Sequence, residues 1–156
     1  MLDLFAGTGA LGIEAVSRGA EQLVSVDCSR QSVMVIERNL ERLSVASQAR
    51  VIRADARAAI RNLNRSGEVF DLVFLDPPYV DLEEPPAVLN ALVACDILDP
   101  SAVVVVEGPK RHSLQEIPGL ALEKERRYGD TVVYWFGVDP AGPGPDCGKG
   151  REGKDG

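Results

Sequence analysis

The feature that most constrains this chain is its opening. An apolar run over residues 1–5 passes directly into Gly7, Gly9 and Gly12, spaced G-x-G-x-x-G, and then into a stretch with helical apolar spacing. A strand that turns on glycines into a helix is the first half of a parallel α/β unit. Parallel strands need a long crossover, and the tight turn needs a backbone free to reverse. Glycine also lets the main chain approach a ligand closely at the carboxyl edge of a sheet. The spacing by itself discriminates little, because nicotinamide and flavin dinucleotide enzymes share it and a plain strand-to-helix turn satisfies it too.

The rhythm continues to about residue 107, with short apolar runs at 1–5, 22–27, 50–53, 69–75 and 102–106 that read as strands. Val33, Ile36, Leu40 and Leu43 recur at helical spacing; Leu11 with Ala15, and Leu89 with Leu92 and Val93, suggest two more helices facing the sheet. After the breakers Gly108-Pro109 and Pro118-Gly119, residues 120–127 and 131–136 pair plausibly around Tyr128-Gly129-Asp130 as an antiparallel hairpin. The fold class expected is α/β and Rossmann-like, a mostly parallel sheet with a C-terminal antiparallel hairpin. One domain is expected over residues 1–138. Residues 139–156, rich in Gly and Pro, offer too little to bury and are expected to be a disordered tail.

Acids follow the strands. Asp3, four residues before Gly7, would repel a pyrophosphate but suits a ligand with a cationic amino group. Asp27, closing the second apolar run, sits where a carboxylate can accept hydrogen bonds from both ribose hydroxyls of an adenosine, or can cap the next helix. Asp55, closing the third, is placed to meet an adenine ring or to cap a helix, and both can hold.

The fourth run ends in Asp76-Pro77-Pro78-Tyr79. Two prolines fix φ and remove two donors, so a stiff loop can present unopposed acceptors. The exocyclic amino nitrogen of a base is conjugated with its ring, which makes it planar and a poor nucleophile. If the Asp76 carboxylate and the Pro77 carbonyl each accept one amino hydrogen, the nitrogen lone pair can be aimed at a sulfonium methyl, and positioning does most of the work. Asp76 can take the released proton, Tyr79 offers a face on which the base can stack, and no metal is needed. The plain alternative for the tetrapeptide is a rigid turn.

With these residues in place the chain resembles the bacterial methyltransferases that modify guanine N2 in small-subunit (16S) ribosomal RNA. The resemblance runs through the stretch from Leu2 to Gly12, then Glu14-Ala15-Val16-Ser17-Arg18-Gly19-Ala20, the strand end Phe74-Leu75-Asp76-Pro77-Pro78-Tyr79, and Arg127-Tyr128-Gly129-Asp130-Thr131. It implies a seven-stranded class I methyltransferase sheet and S-adenosylmethionine as cofactor. Asp3, Gly7 and Gly9 would lie around its methionine part, Asp27 on its ribose, and Asp55 with the Ala56 backbone on its adenine, with Phe5 a further cofactor-binding residue. Asp76, Pro77, Pro78 and Tyr79 would form the catalytic loop. The partner implied is ribosomal RNA or an assembling small subunit. The family pattern carries a partly basic segment ahead of the first strand, so this chain is expected to be short at its amino end. The competing readings are a DNA adenine-N6 methyltransferase and a non-catalytic cofactor- or RNA-binding fragment; a dinucleotide oxidoreductase is disfavoured by Asp3.

The net charge of −7 argues against a phosphate grip by this chain alone, since that grip needs clustered Lys and Arg. Lys110, Arg111, Lys124, Arg126 and Arg127 read first as solvated hairpin surface and second as a small basic patch; His112 reads as a solvated loop residue. No run nears the roughly 20 apolar residues of a membrane span, no signal peptide is visible, and the three cysteines are odd and dispersed. A cytoplasmic monomer is expected.

Overall fold

The computed structural model describes residues 1–78, 84–110, 114 and 116–142. Tyr79, Arg111, His112 and the tail from residue 143 lie outside the described residues. The strands are β1 (Leu2–Leu4), β2 (Leu23–Asp27), β3 (Ala49–Arg53), β4 (Phe70–Leu75), β5 (Leu98–Pro109), β6 (Leu120–Tyr128) and β7 (Thr131–Val138). The helices are α1 (Ala10–Ser17), α2 (Arg30–Arg42), α3 (Ala56–Arg65) and α4 (Glu84–Ala94). Among the described residues the strands form one seven-stranded sheet in the order β3-β2-β1-β4-β5-β7-β6. Pairings are parallel from β3 through β5, and β7 runs antiparallel to both β5 and β6. The expected sheet and hairpin are therefore both present.

Short, mostly apolar strands sit in the middle because helices cover both faces there. Leu2, Leu4, Val73, Leu75, Val104 and Val106 point to one face, where Ala59, Ile60 and Leu63 of α3 and Leu89 and Leu92 of α4 close the larger core. On the other face Val16 of α1 and Ile36 and Leu40 of α2 close a smaller core with Met1 and Leu23. The stripe of α3, missed by periodicity in the sequence, is short but fully committed: Ala56, Ala59, Ile60 and Leu63 are all buried.

Three details differ from the expectation. In α1 the buried residues are Gly12 and Val16, whereas Leu11 is 45% exposed. The cause is Gly12: a Cβ there would stand 2.7 and 2.8 Å from the Leu23 methyls, so the helix backbone itself lies on the sheet and rotates Leu11 outward. Second, β5 continues through Gly108-Pro109, because the ladder to β7 holds it to the Pro109↔Thr131 pair. The proline ends the strand, where its missing donor costs least. Third, residues 139–142 form a turn rather than the start of a loose tail: the Asp139 N–H donates to the Gly119 carbonyl at 3.0 Å, and the Gly142 N–H donates to that of Asp139. No helix among the described residues is long and apolar enough to cross a membrane.

Candidate functional site

The strand order reverses direction between β1 and β4. The helices after β1 and β4 therefore leave to opposite faces and open a crevice at the carboxyl edge, the place where open α/β sheets bind ligands. A cavity of about 780 Å³ lies there, within the range of small-molecule and cofactor sites. Phe5 and Gly7 come to it from the turn after β1, Asp27 from the end of β2, Asp55 from the turn after β3, and Asp76, Pro77 and Pro78 from the turn after β4. Loops separated by some seventy positions in the sequence thus meet at one wall.

The turn after β1 is held in an unusual shape. Phe5 has φ 63°, Gly7 φ 58° and Gly9 φ 78°. A bulky residue in the left-handed region is strained, by about 1 kcal/mol or more, and such strain gathers where surrounding contacts over-determine the backbone. Those contacts are visible: the Ala6 N–H donates to Val26 O at 3.0 Å, and the Gly9 N–H to Ala6 O at 2.7 Å. Asp27 fixes the next step, its Oδ2 accepting the Gly7 N–H at 2.9 Å and its Oδ1 the Ser29 N–H at 2.8 Å. The cap of α2 is Ser29, whose Oγ accepts the Ser32 N–H, so Asp27 is a loop staple rather than that helix's cap. Each carboxylate oxygen keeps a second lone pair for a ligand hydroxyl.

Asp55 does cap α3: Oδ1 accepts the Ala58 N–H at 3.1 Å, while the side chain stays exposed at the cavity. Asp3 lies elsewhere. It is 1% exposed, behind the cavity wall, and its Oδ2 accepts the Gly12 N–H at 3.1 Å in the first turn of α1. Its carboxylate thereby secures the glycine turn to the helix. Burial, offset partly by that hydrogen bond and reinforced by Asp76 and Asp27, pushes its pKa up to about 7. Gly9 and Ala56 are likewise buried. Tyr79 lies outside the described residues, so its stacking role rests on the sequence.

Two further carboxylates line the cavity, Glu84 at the start of α4 and Glu107 in β5. Glu84 follows no apolar run and gave no sequence signal. Glu107 did, since it follows Val103-Val104-Val105-Val106 as Asp27 and Asp76 follow their runs. Burial, and after it the nearby Glu107, raises the pKa of Asp76. The described wall thus carries five carboxylates and no Lys or Arg. A pyrophosphate would be repelled there. An adenosine joined to a sulfonium and an ammonium group fits, with glycine backbone on one side and acids on the others.

A family model described as conserved hypothetical protein 95 matches residues 1–137. A Bacillus subtilis protein named "Putative rRNA methyltransferase YlbH" is 35% identical over 133 residues, covering 85% of this chain and 72% of its own length. The ribosomal RNA small subunit methyltransferase D of Escherichia coli K12 is 34% identical over 138 residues, 86% of this chain and 66% of that protein. Among solved structures, a conserved hypothetical protein of Streptococcus pyogenes superposes with TM-score 0.81 at 38% identity, covering 88% of this chain and 84% of the other. A structure named "Putative methyltransferase yhhF from Escherichia coli" gives 0.75 at 29%, covering 88% and 75%. The architecture is that of the class I methyltransferases, and the chain spans about two thirds to three quarters of the curated relatives named above. By this match the chain belongs to the conserved hypothetical protein 95 family, in the company of the ribosomal RNA small subunit methyltransferases D.

Proposed function

We propose that this protein transfers a methyl group from S-adenosylmethionine to the exocyclic N2 of a guanine in small-subunit ribosomal RNA. The observation that carries the proposal is the meeting of Asp76, Pro77 and Pro78 with Gly7 and Asp27 on one acidic cavity at the strand-order reversal. The kinship with ribosomal RNA methyltransferases supports the class of substrate.

Bound in this cavity, S-adenosylmethionine supplies a methyl group already activated by its sulfonium. Gly7 would let the backbone approach the cofactor, Asp27 would offer acceptors to its ribose hydroxyls, and Asp55 would meet its adenine. Asp76 and the Pro77 carbonyl then hold the two hydrogens of the guanine amino group and turn its lone pair toward the methyl. The raised pKa of Asp76 suits it to receive the proton that the nitrogen loses. Phosphate contacts fall to other surfaces, because the cavity rim is acidic; Lys124 and Arg126 on the exposed strand β6 are available to such a role.

The deciding experiment is mass spectrometry of ribosomal RNA from cells with and without the gene, followed by methylation of the deficient RNA by the purified protein. Loss of one N2-methylguanine in the deletion and its return in vitro is the expected result. An unchanged methylguanine content in the deletion would sink the proposal.

A further inference from the structure

The cavity holds two carboxylates beyond those given a role in methyl transfer, Glu84 and Glu107, and the position of Glu107 is informative. Leu75 of β4 pairs in parallel register with Val106 of β5, so the next residues along, Asp76 and Glu107, stand side by side at the carboxyl edge. Both line the cavity, and they are close enough for Glu107 to perturb the Asp76 carboxyl. Glu107 is also held from its other side, opposite Val133 in the ladder to β7, so its backbone is fixed on both flanks.

We propose that Glu107 is a specificity-determining residue that accepts the N1–H of the target guanine. The inference rests on the guanine-N2 reading above and names the group that makes the site choose guanine. On the Watson–Crick edge of guanine the amino hydrogens and N1–H are adjacent donors. With the amino group held by Asp76 and Pro77, N1–H points to the neighbouring strand end. A carboxylate there accepts it. Adenine presents the opposite pattern: beside its amino group, N1 is an acceptor, and its lone pair would face the lone pairs of Glu107. A site that hydrogen-bonds one donor disfavours the analogue that lacks it, because that hydrogen bond is lost and an acceptor lone pair takes the donor's place. Glu107 thus discriminates by attraction to guanine and by repulsion of adenine.

The test uses RNA carrying 2-aminopurine in place of the guanine identified by mass spectrometry. 2-Aminopurine keeps the exocyclic amino group and loses N1–H. Wild-type protein should prefer guanine over 2-aminopurine by about 10- to 100-fold in kcat/KM, the scale of one hydrogen bond to a charged group. Glu107→Gln, whose amide can donate as well as accept, should bring that ratio close to one while cofactor affinity stays within a few-fold. A damaged fold would lower both rates together and leave the ratio in place. Should the glutamine variant unfold, Glu107→Asp, which withdraws the acceptor by one methylene, is expected to lower the ratio in the same direction. A ratio unchanged in a folded variant overturns the role of Glu107 and leaves guanine-N2 methylation standing. Failure of the wild-type protein to methylate guanine overturns both.

Discussion

The Oδ2 atom of Asp27 accepts the backbone N–H of Gly7 at 2.9 Å, tying the end of β2 to the glycine turn twenty positions earlier. The same side chain faces the cavity, so loop shape and ligand contact depend on one carboxylate. Asp27→Ala removes the staple and the proposed ribose acceptor together. Calorimetry with S-adenosylhomocysteine should show affinity lower by about 10- to 100-fold, the scale of a lost charged hydrogen bond. Affinity within twofold of wild type would remove Asp27 from the cofactor site.

Asp3 makes stability depend on pH in an unusual direction. Its carboxyl titrates near 3.8 in a model peptide and at about 7 in the folded protein, where burial disfavours the charge. The folded state holds the proton more tightly, so this group's stabilising contribution is complete below about pH 4 and is lost as pH rises through 7. Asp3→Asn keeps an acceptor for the Gly12 N–H and cannot ionise. The melting temperature of wild type minus that of the variant should fall between about pH 4 and pH 7.5 and then level off. A difference that rises with pH would show that the carboxylate is stabilised as the anion.

Gly12 and Leu23 form a contact with no spare volume. Gly12→Ala places a methyl group 2.7 Å from a Leu23 methyl and should destabilise the fold by about 1–3 kcal/mol, the usual cost of overpacking. Leu23→Ala alone leaves a cavity and destabilises too. The double variant should be more stable than the sum of the two effects predicts, as denaturant unfolding of all four proteins can show. Strict additivity would mean that the helix relaxes away from the sheet without cost.

Asp55 serves two roles that chemistry can separate. Serine keeps a cap for α3 and loses the carboxylate; alanine loses both. Asp55→Ala should cost about 1 kcal/mol in stability and Asp55→Ser much less. Equal losses of cofactor affinity in the two variants would then report the contact with adenine alone. Full affinity in the serine variant would leave Asp55 as a cap only.

Asp76→Ala should abolish methyl transfer while cofactor affinity stays within a few-fold, since Asp76 is assigned to the base and to the proton. Because burial and Glu107 raise its pKa, the rate should fall on the acid side at a pH higher than that at which an ordinary aspartate titrates. Normal turnover by the alanine variant would exclude Asp76 from the chemistry.

What the sequence alone determined is local. Gly7 and Gly9 read as a turn because positive φ is cheap only for glycine, and both adopt it. Asp27, Asp55 and Asp76 read as edge residues because a carboxylate that ends an apolar run cannot lie inside the sheet, and all three reach the cavity. The hairpin was legible from its turn, Tyr128-Gly129-Asp130, where Gly129 adopts positive φ between the two strands.

Only the tertiary structure decided the rest. Asp3 lies in the middle of β1, paired with Ser25 and Phe74, and Gly12 lets α1 lie so close that the carboxylate meets a helix amide. Leu11 faces outward for the same cause. The pairing of β1 with β4, and of β4 with β5, brought Gly7, Asp76 and Glu107 to one wall. Strand neighbours are chosen by which faces two layers of helices can cover, a property of the whole packed sheet that no window of the sequence contains.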